Sequence, residues 1–568
     1  MPFTASRVRA KDHDLIVLGS GGAGMAAALF GAIDGLRVLL IEKTEYLGGA
    51  TAQSAGMAWI PNTHLSGSVG ADDNRENAAT YLRRVVGNHA PEALHRSFLE
   101  NGPKAVEKLW NHSKVRFHAL PYHPDHHSDL DGATVAGRAL EALPFDGRLL
   151  AGDFELLRPP APEQTVLGGM MVDRNDLGHL WRMARSWASF RHSLRMLLRH
   201  VRDRIGHKRG TRLLMGNALI ARLLYSLRKR RVEIWTSTNL DDLIVEDGRV
   251  AGVAVERAGR KQSLRAKRGV VLATGGFNRH PLLRSQLLPP AAAYTPGAPG
   301  NTGEAIEVAL KSGARLGAGN FDNALWAPVS VRELADGNSV VHPHFTMDRG
   351  KPGTMVVNQA GKRFLNETLS HHLFGHAMVE ADRESPCIPA FLIADHRALR
   401  KYGLGPVPPG GRGIKRLVDE GYLIEAPTIG ELARKLDMDP AVLDGTARKM
   451  NGYAAEGSDA EFGRGATLYQ RSLGDPAHKP NPTMGPIDQA PFYAVRLFPG
   501  DIGASTGLVT DEKARVLGDN NLPIPGLYAV GNDMNSIMGG TDPGPGSTLG
   551  PAIAFAYLAA ADAARSGG

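Results

Sequence analysis

Cysteine is nearly absent from this chain of 568 residues, where Cys387 stands alone. One thiol forms neither an internal disulfide nor a cysteine-ligated iron–sulfur cluster, and such usage fits a reducing compartment. Long apolar runs are missing too: no stretch approaches the roughly 18 consecutive apolar residues that cross a bilayer, and residues 1–10 hold no apolar segment of the kind a leader needs. A cytoplasmic protein is the expectation. Histidine and acid are plentiful, but nowhere at a standard metal-ligand spacing, so no metal site is expected. Their densest group, residues 120–131, contains Tyr122, His126 and His127 and reads as a polar loop near a substrate.

Acids also thin out between residues 181 and 231, where Asp203 is nearly alone. Arg182, Arg185, Arg191, Arg195, Arg199, Arg202 and Arg204 alternate there with Trp187, Phe190, Leu194, Leu198 and Val201. Much of the net charge of +8 sits in this segment, which reads as a basic helical insertion over about 181–212. Two readings stand beside each other: a helix lying on an anionic membrane surface, or one covering the protein with its arginines in water. Nucleic acid is not expected as a partner, because nothing else in the chain looks like a recognition module.

What is present is a nucleotide-binding signature. The apolar run 15–18 leads into Gly19, Gly21 and Gly24, spaced G-x-G-x-x-G, then a helix from about Gly22, then a second apolar run 38–41 closed by Glu42 and Lys43. This order makes a buried parallel strand, a tight turn, a helix and a second strand. The first glycine makes the turn, the second admits a pyrophosphate, and the third lets the helix pack closely. Free N–H groups at the helix start, including those around Gly22 and Ala23, face the phosphates. Glu42 suits an unphosphorylated ribose. Small and hydroxyl residues follow at Gly48, Gly49, Ala50, Thr51, Ser54 and Gly56, so backbone can pass close to a flat cofactor. Further along come surface helices over 72–86 and 92–108, a helix over 217–229, a strand over 232–236, a hairpin over 243–257 turning at Gly248, and a buried strand over 269–277 ending in Ala273-Thr274-Gly275-Gly276. Near the end, Gly531-Asn532 closes a strand, and Pro543-Gly-Pro-Gly-Ser-Thr-Leu549 leads into an apolar helix. A length of 568 exceeds what one core sustains, so at least two domains are expected.

Together these motifs resemble the FAD-containing fumarate reductase and succinate dehydrogenase superfamily and, over nearly the whole chain, its flavin-dependent 3-ketosteroid dehydrogenases, particularly the Δ1-dehydrogenases. The resemblance rests on residues 19–24, 48–51, 273–276, Asn366-Glu367 and Pro543 to Pro551. It implies an α/β fold: a Rossmann-like FAD-binding domain with an inserted α+β substrate cap. The expected division is 1–279 and 458–568 for the FAD domain and 280–457 for the cap. It implies FAD at Gly19, Gly21, Gly22, Ala23, Gly24, Glu42, Lys43, Gly48, Gly49, Ala50, Thr51, Ser54, Gly56, Ala273, Thr274, Gly275, Gly531, Asn532, Ser547, Thr548 and Leu549. Without a histidine in an attachment context near Gly48, binding is expected to be non-covalent. Helix N–H groups after residue 548 would stabilise charge on the reduced flavin.

The chemistry implied is removal of two vicinal hydrogens beside a ketone, with a base taking the α proton and flavin N5 receiving hydride. Three tyrosines serve that family, and this chain has different residues at the matching places. Asp542 replaces the ketone donor, acting as a donor only if burial keeps it protonated. His371, followed by His372, replaces the base and needs no large shift to work near neutral pH. His126 and His127 replace the third as a relay, unless Tyr122 reaches there. Gly546 is retained, its N–H available to a carbonyl. Ala504, Ser505, Thr506 and Thr548 stand where dicarboxylate reductases have a histidine and an arginine. A hydrophobic, steroid-like cyclic ketone is therefore the expected substrate, with an unnamed electron acceptor. The alternatives are an ene-type reductase of an unsaturated cyclic ketone and a non-catalytic flavin- or ligand-binding protein.

Overall fold

The computed structural model describes residues 13–566, so the reading of residues 1–10 lies outside it. Continuous apolar runs become strands covered on both faces. His13–Leu18 lies between Val38–Ile41 and Arg260–Leu272, parallel to both, and Glu233–Trp235 adds a fourth parallel strand beyond Val38–Ile41. Leu15, Ile16, Val17, Leu39, Leu40, Val270, Val271 and Leu272 are wholly excluded from solvent, as expected where helices cover both faces of a parallel sheet. Pro523–Ala529 continues the sheet in parallel with the end of Arg260–Leu272, with Arg515–Leu517 beside it. The helices Gly22–Ile33 and Leu549–Arg565 pack together over this sheet.

The expected hairpin over 243–257 is one part of a three-stranded antiparallel ribbon, Thr238–Glu246, Arg249–Arg257 and Arg260–Leu272. The third strand starts earlier than expected, because residues 260–268 are charge-rich and alternate between wet and covered faces. The same strand then runs on as the buried Val270–Leu272. Sequence hydrophobicity alone marks only that last part.

A second sheet is antiparallel throughout, in the order Ser339–Pro343, Ala324–Glu333, Phe492–Ala504, Ala390–Ala394, Thr354–Val357, with Ile424–Ala426 also on Phe492–Ala504. Both its faces are covered: Met355, Val357, Phe391 and Ile393 enter one core, and Val356, Leu392 and Ala394 enter another. The expected cap, 280–457, contributes every strand of this sheet but Phe492–Ala504. The middle strand comes from 492–504, whereas Leu283, Leu288, Ile306 and Ala309, within 280–316, pack into the core of the first sheet. The boundary at 457 followed a change in composition, and strand pairing between distant segments leaves no mark there.

The basic insertion is two helices, Arg174–Trp181 and Trp187–Gly206. The longer one is turned inside out. Ser189, Ser193, Met196, His200 and Asp203 are buried, and Trp187, Leu194, Leu198, Val201 and Ile205, which share one side at helical spacing, are exposed. Leu198 is 61 % and Ile205 86 % exposed. Among the described residues, no helix is long and apolar enough to cross a membrane.

Candidate active site

The three glycines of the first turn do separate work. Gly19 adopts φ 98°, and a Cβ there would lie 2.2 Å from the Ala273 carbonyl oxygen. A Cβ on Gly24 would come within 1.9 Å of Gly19 O, so the helix packs only because none exists. At Gly21 nothing stands within 4 Å, which leaves room for a pyrophosphate. The Gly22 N–H donates to Thr51 Oγ1 at 3.1 Å, and Leu549 abuts Gly22, so the starts of the helices Gly22–Ile33 and Leu549–Arg565 converge on the Gly48-Gly49-Ala50-Thr51 turn. Gly531 touches Ala23. A recess between them is lined by Ala504, Gly531, Asn532, Ser547 and Thr548.

Glu42 is held by four donors. Ser20 N–H and Oγ reach Oε2 at 3.0 and 2.5 Å, and Thr44 N–H and Oγ1 reach Oε1 at 2.9 and 2.8 Å. Several expected ligands are engaged with protein. Lys43 pairs with Glu304 and donates to Thr302 Oγ1 at 2.7 Å. The Thr274 hydroxyl donates to buried Asp533, which also accepts the Gly276 N–H at 2.8 Å, so Thr274 braces the turn of Gly275. Ser54 Oγ donates to Thr51 O at 3.0 Å and accepts the Gly56 N–H at 2.9 Å. Open space at Gly21, two helix starts that meet at one place and a recess beside them fit FAD.

His126, His371 and Asp542 come together. His126 Nδ1 lies 2.9 Å from Asp542 Oδ2, and His371 Nε2 lies 3.6 Å from the same oxygen. The two rings meet edge to face at 5.7 Å. Asp125 fixes the loop bearing His126: it accepts from Trp59 Nε1 at 2.7 Å and pairs with buried Arg138 at 2.7 Å, while the His126 N–H donates to Pro543 O at 3.0 Å. His371 begins the helix His371–Asp382, capped by Ser370. The preceding Arg363-Phe-Leu-Asn-Glu367 segment is structural. Glu367 is fully buried against Arg363 at 2.8 Å and Arg464 at 3.4 Å, and Arg363 also binds Asp459 at 2.7 Å.

Burial favours a neutral Asp542, but the charges of His126 and His371 outweigh it and hold the carboxyl well below the usual carboxylate range. Asp542 is expected to donate to a ketone only if burial keeps it protonated, and the neighbouring imidazoles work against that condition. Burial lowers His371 to about 4, against an opposing pull from Asp542. His371 is then neutral near pH 7, and the nearer imidazole, His126, is the main counter-group of Asp542. Burial also takes His127 to about 4, and its N–H donates to the Tyr81 hydroxyl at 3.2 Å. Tyr122 is 54 % exposed and, among the described contacts, meets none of the three central residues. Gly546, at φ 93°, has no room for a side chain, since a Cβ would lie 2.4 Å from Met57 O; its N–H enters none of the described hydrogen bonds.

Other residues here were not foreseen. The Tyr469 ring packs on His126 at 4.6 Å, and Phe345 meets His371 edge to face at 5.3 Å. Ser547, expected at the cofactor, donates to Asp542 Oδ1 at 2.8 Å. Tyr81 Oη donates to Pro543 O at 2.5 Å. Tyr469 and Phe345 lie in no motif, and only the fold of the second domain brings them here.

The sequence profile of the FAD binding domain family matches residues 14–549. The chain is 37 % identical to the 3-oxosteroid 1-dehydrogenase of Mycolicibacterium smegmatis, over 98 % of each protein. It is 36 % identical to the 4-oxocyclohex-2-ene-1-carboxylate 5-dehydrogenase of Sinomonas cyclohexanicum, over all of this chain and 96 % of that protein. Among solved structures, the 3-ketosteroid Δ1-dehydrogenase of Sterolibacterium denitrificans in complex with 1,4-androstadiene-3,17-dione superposes with a TM-score of 0.91 at 35 % identity, covering 98 % of this chain and all of that one. The chain belongs to the FAD-binding flavoprotein family that includes the 3-oxosteroid 1-dehydrogenases: it is an FAD-dependent oxidoreductase acting on CH–CH groups.

Proposed function

We propose that this enzyme introduces a C=C bond beside the carbonyl of a 3-ketosteroid or similar cyclic ketone, with His371 as the base. When bound, FAD supplies the two-electron oxidant that accepts the β hydrogen as hydride. The observation carrying the base assignment is that His371 Nδ1 lies 3.1 Å from Trp326 O, an atom that can only accept. Nδ1 therefore bears the hydrogen and Nε2 is bare. His371 Nε2 takes the α proton, and the imidazolium so formed faces Asp542 Oδ2, which has no well-aligned hydrogen bond of its own. Asp542 thus serves the base, not the ketone, and the Gly546 N–H polarises the carbonyl. His126 keeps Asp542 anionic between turnovers. The test is His371→Ala, assayed with an artificial electron acceptor on 1,2-saturated 3-ketosteroids and on 4-oxocyclohexanecarboxylates. Loss of roughly 10²–10⁴ in kcat with FAD still bound is expected of a general base, and unchanged turnover on every substrate turned over by the parent would sink the assignment.

The outward apolar side of Trp187–Gly206, rimmed by Arg191, Arg195 and Arg202, supports a second element of this reading: a cytoplasmic enzyme resting on an anionic membrane surface. Trp187, Leu198, Val201 and Ile205 keep most of their surface in solvent, and arginines beside them match anionic lipid.

A further inference from the structure

We propose that Asp322, acting through His372 and the backbone of Trp326, is a positioning residue that keeps His371 in the tautomer able to accept a proton. The inference rests on the assignment of His371 as base. His371 has two ways to place its one hydrogen, and its surroundings disagree about which. Asp542, 3.6 Å from Nε2, attracts a hydrogen to that nitrogen, where it would block proton acceptance. Trp326 O, 3.1 Å from Nδ1, attracts it to the other side. The useful tautomer prevails only while the Trp326 carbonyl stays in place.

Three features hold it there. The Trp326 N–H donates to His372 Nδ1 at 3.2 Å, so one residue's two backbone groups engage two consecutive imidazoles. The pairing of Ala324–Glu333 with Phe492–Ala504 is irregular between Leu325 and Trp326, where such a break re-aims backbone groups. Gly375 lets the helix His371–Asp382 close on the strand, since a Cβ there would lie 2.4 Å from Trp326 Cβ. Because His372 Nδ1 accepts a hydrogen bond, this ring must be neutral with its hydrogen on Nε2. Asp322 favours that form through its charge: its Oδ2 lies 3.2 Å from His372 Nε2, close enough to attract the hydrogen though not aligned as a hydrogen bond, and the same oxygen pairs with His376 Nδ1 at 3.0 Å. His372 is 1 % exposed, so it is shielded from bulk water. Without Asp322 the ring can carry its hydrogen on Nδ1, where it opposes the Trp326 N–H, and the clamp opens.

The test compares Asp322→Asn with His371→Ala in the holoenzyme on the same ketone. For Asp322→Asn we expect kcat to fall roughly ten- to a hundredfold with KM little changed, less than the ~10⁴ that follows when a histidine base is locked in the wrong tautomer. The ¹⁵N signals of labelled histidine should show His371 passing from Nδ1–H to mixed protonation. Loss in His371→Ala with kcat unchanged in Asp322→Asn overturns this inference alone; full turnover in His371→Ala overturns the base assignment and the inference together. If Asp322→Asn fails to take up FAD, the ¹⁵N spectrum of the unmodified holoenzyme decides. Neutral His371 carrying its hydrogen on Nε2 refutes the inference.

Discussion

Ser547 and Asp542 are joined by a 2.8 Å hydrogen bond from the serine hydroxyl to Oδ1, which leaves Oδ2 to the two imidazoles. Ser547 also lines the recess beside the nucleotide-binding turn, so a single residue connects that recess to Asp542.

Asp542→Asn keeps the shape of this arrangement and removes its charge. Asp542 raises the pKa of His371 against the larger lowering by burial, so its loss moves the acid limb of kcat/KM to below about 4. The imidazolium formed in turnover is no longer neutralised, and kcat should drop by about 10²-fold. A pH profile with artificial acceptor checks both, and an acid limb displaced upward would contradict the assignment.

Thermal stability should fall on mild acidification. Burial holds His127 and His371 at about 4 in the folded protein, against 6.5 for the free side chain. Between these values the unfolded chain binds protons that the folded chain refuses, so stability present above pH 6.5 is lost as pH drops towards 4. Melting scans across this window measure the effect, and His127→Phe should flatten part of the slope.

Gly21→Ala and Gly24→Ala should part company. The added methyl at Gly21 meets no protein atom within 4 Å, so the apoprotein keeps its melting temperature while FAD affinity falls at least tenfold, about 1.4 kcal/mol. At Gly24 the methyl would sit 1.9 Å from Gly19 O, and the fold itself suffers. Titration of apoprotein with FAD, beside melting scans without it, separates the two.

Leu198→Glu with Val201→Glu should leave turnover of a soluble ketone unchanged and abolish co-sedimentation with anionic liposomes. Wild-type binding should weaken with salt, because arginine attraction to lipid is screened over roughly 10 Å at 0.1 M. Equal sedimentation of variant and parent would refute membrane docking.

The nucleotide cradle was legible because each of its parts is local: a strand, three glycines and an acid lie within 13–42. His371, His126 and Asp542 were legible only as replacements at positions fixed by resemblance, and their grouping around one carboxylate oxygen was not. The charge of Asp542 depends on the imidazoles that the fold brings to it, which its sequence neighbours do not reveal. Asp322, Trp326 and Tyr469 left no trace, since their roles depend on backbone direction and on contacts across more than 40 residues.

The strand Phe492–Ala504 is the spine of the second sheet, and its last residue, Ala504, forms part of the recess beside the nucleotide-binding turn. The strand thus joins the second sheet to the recess with no intervening loop. A movement of that sheet would therefore be transmitted directly to the recess, so substrate entry and cofactor seating should be coupled.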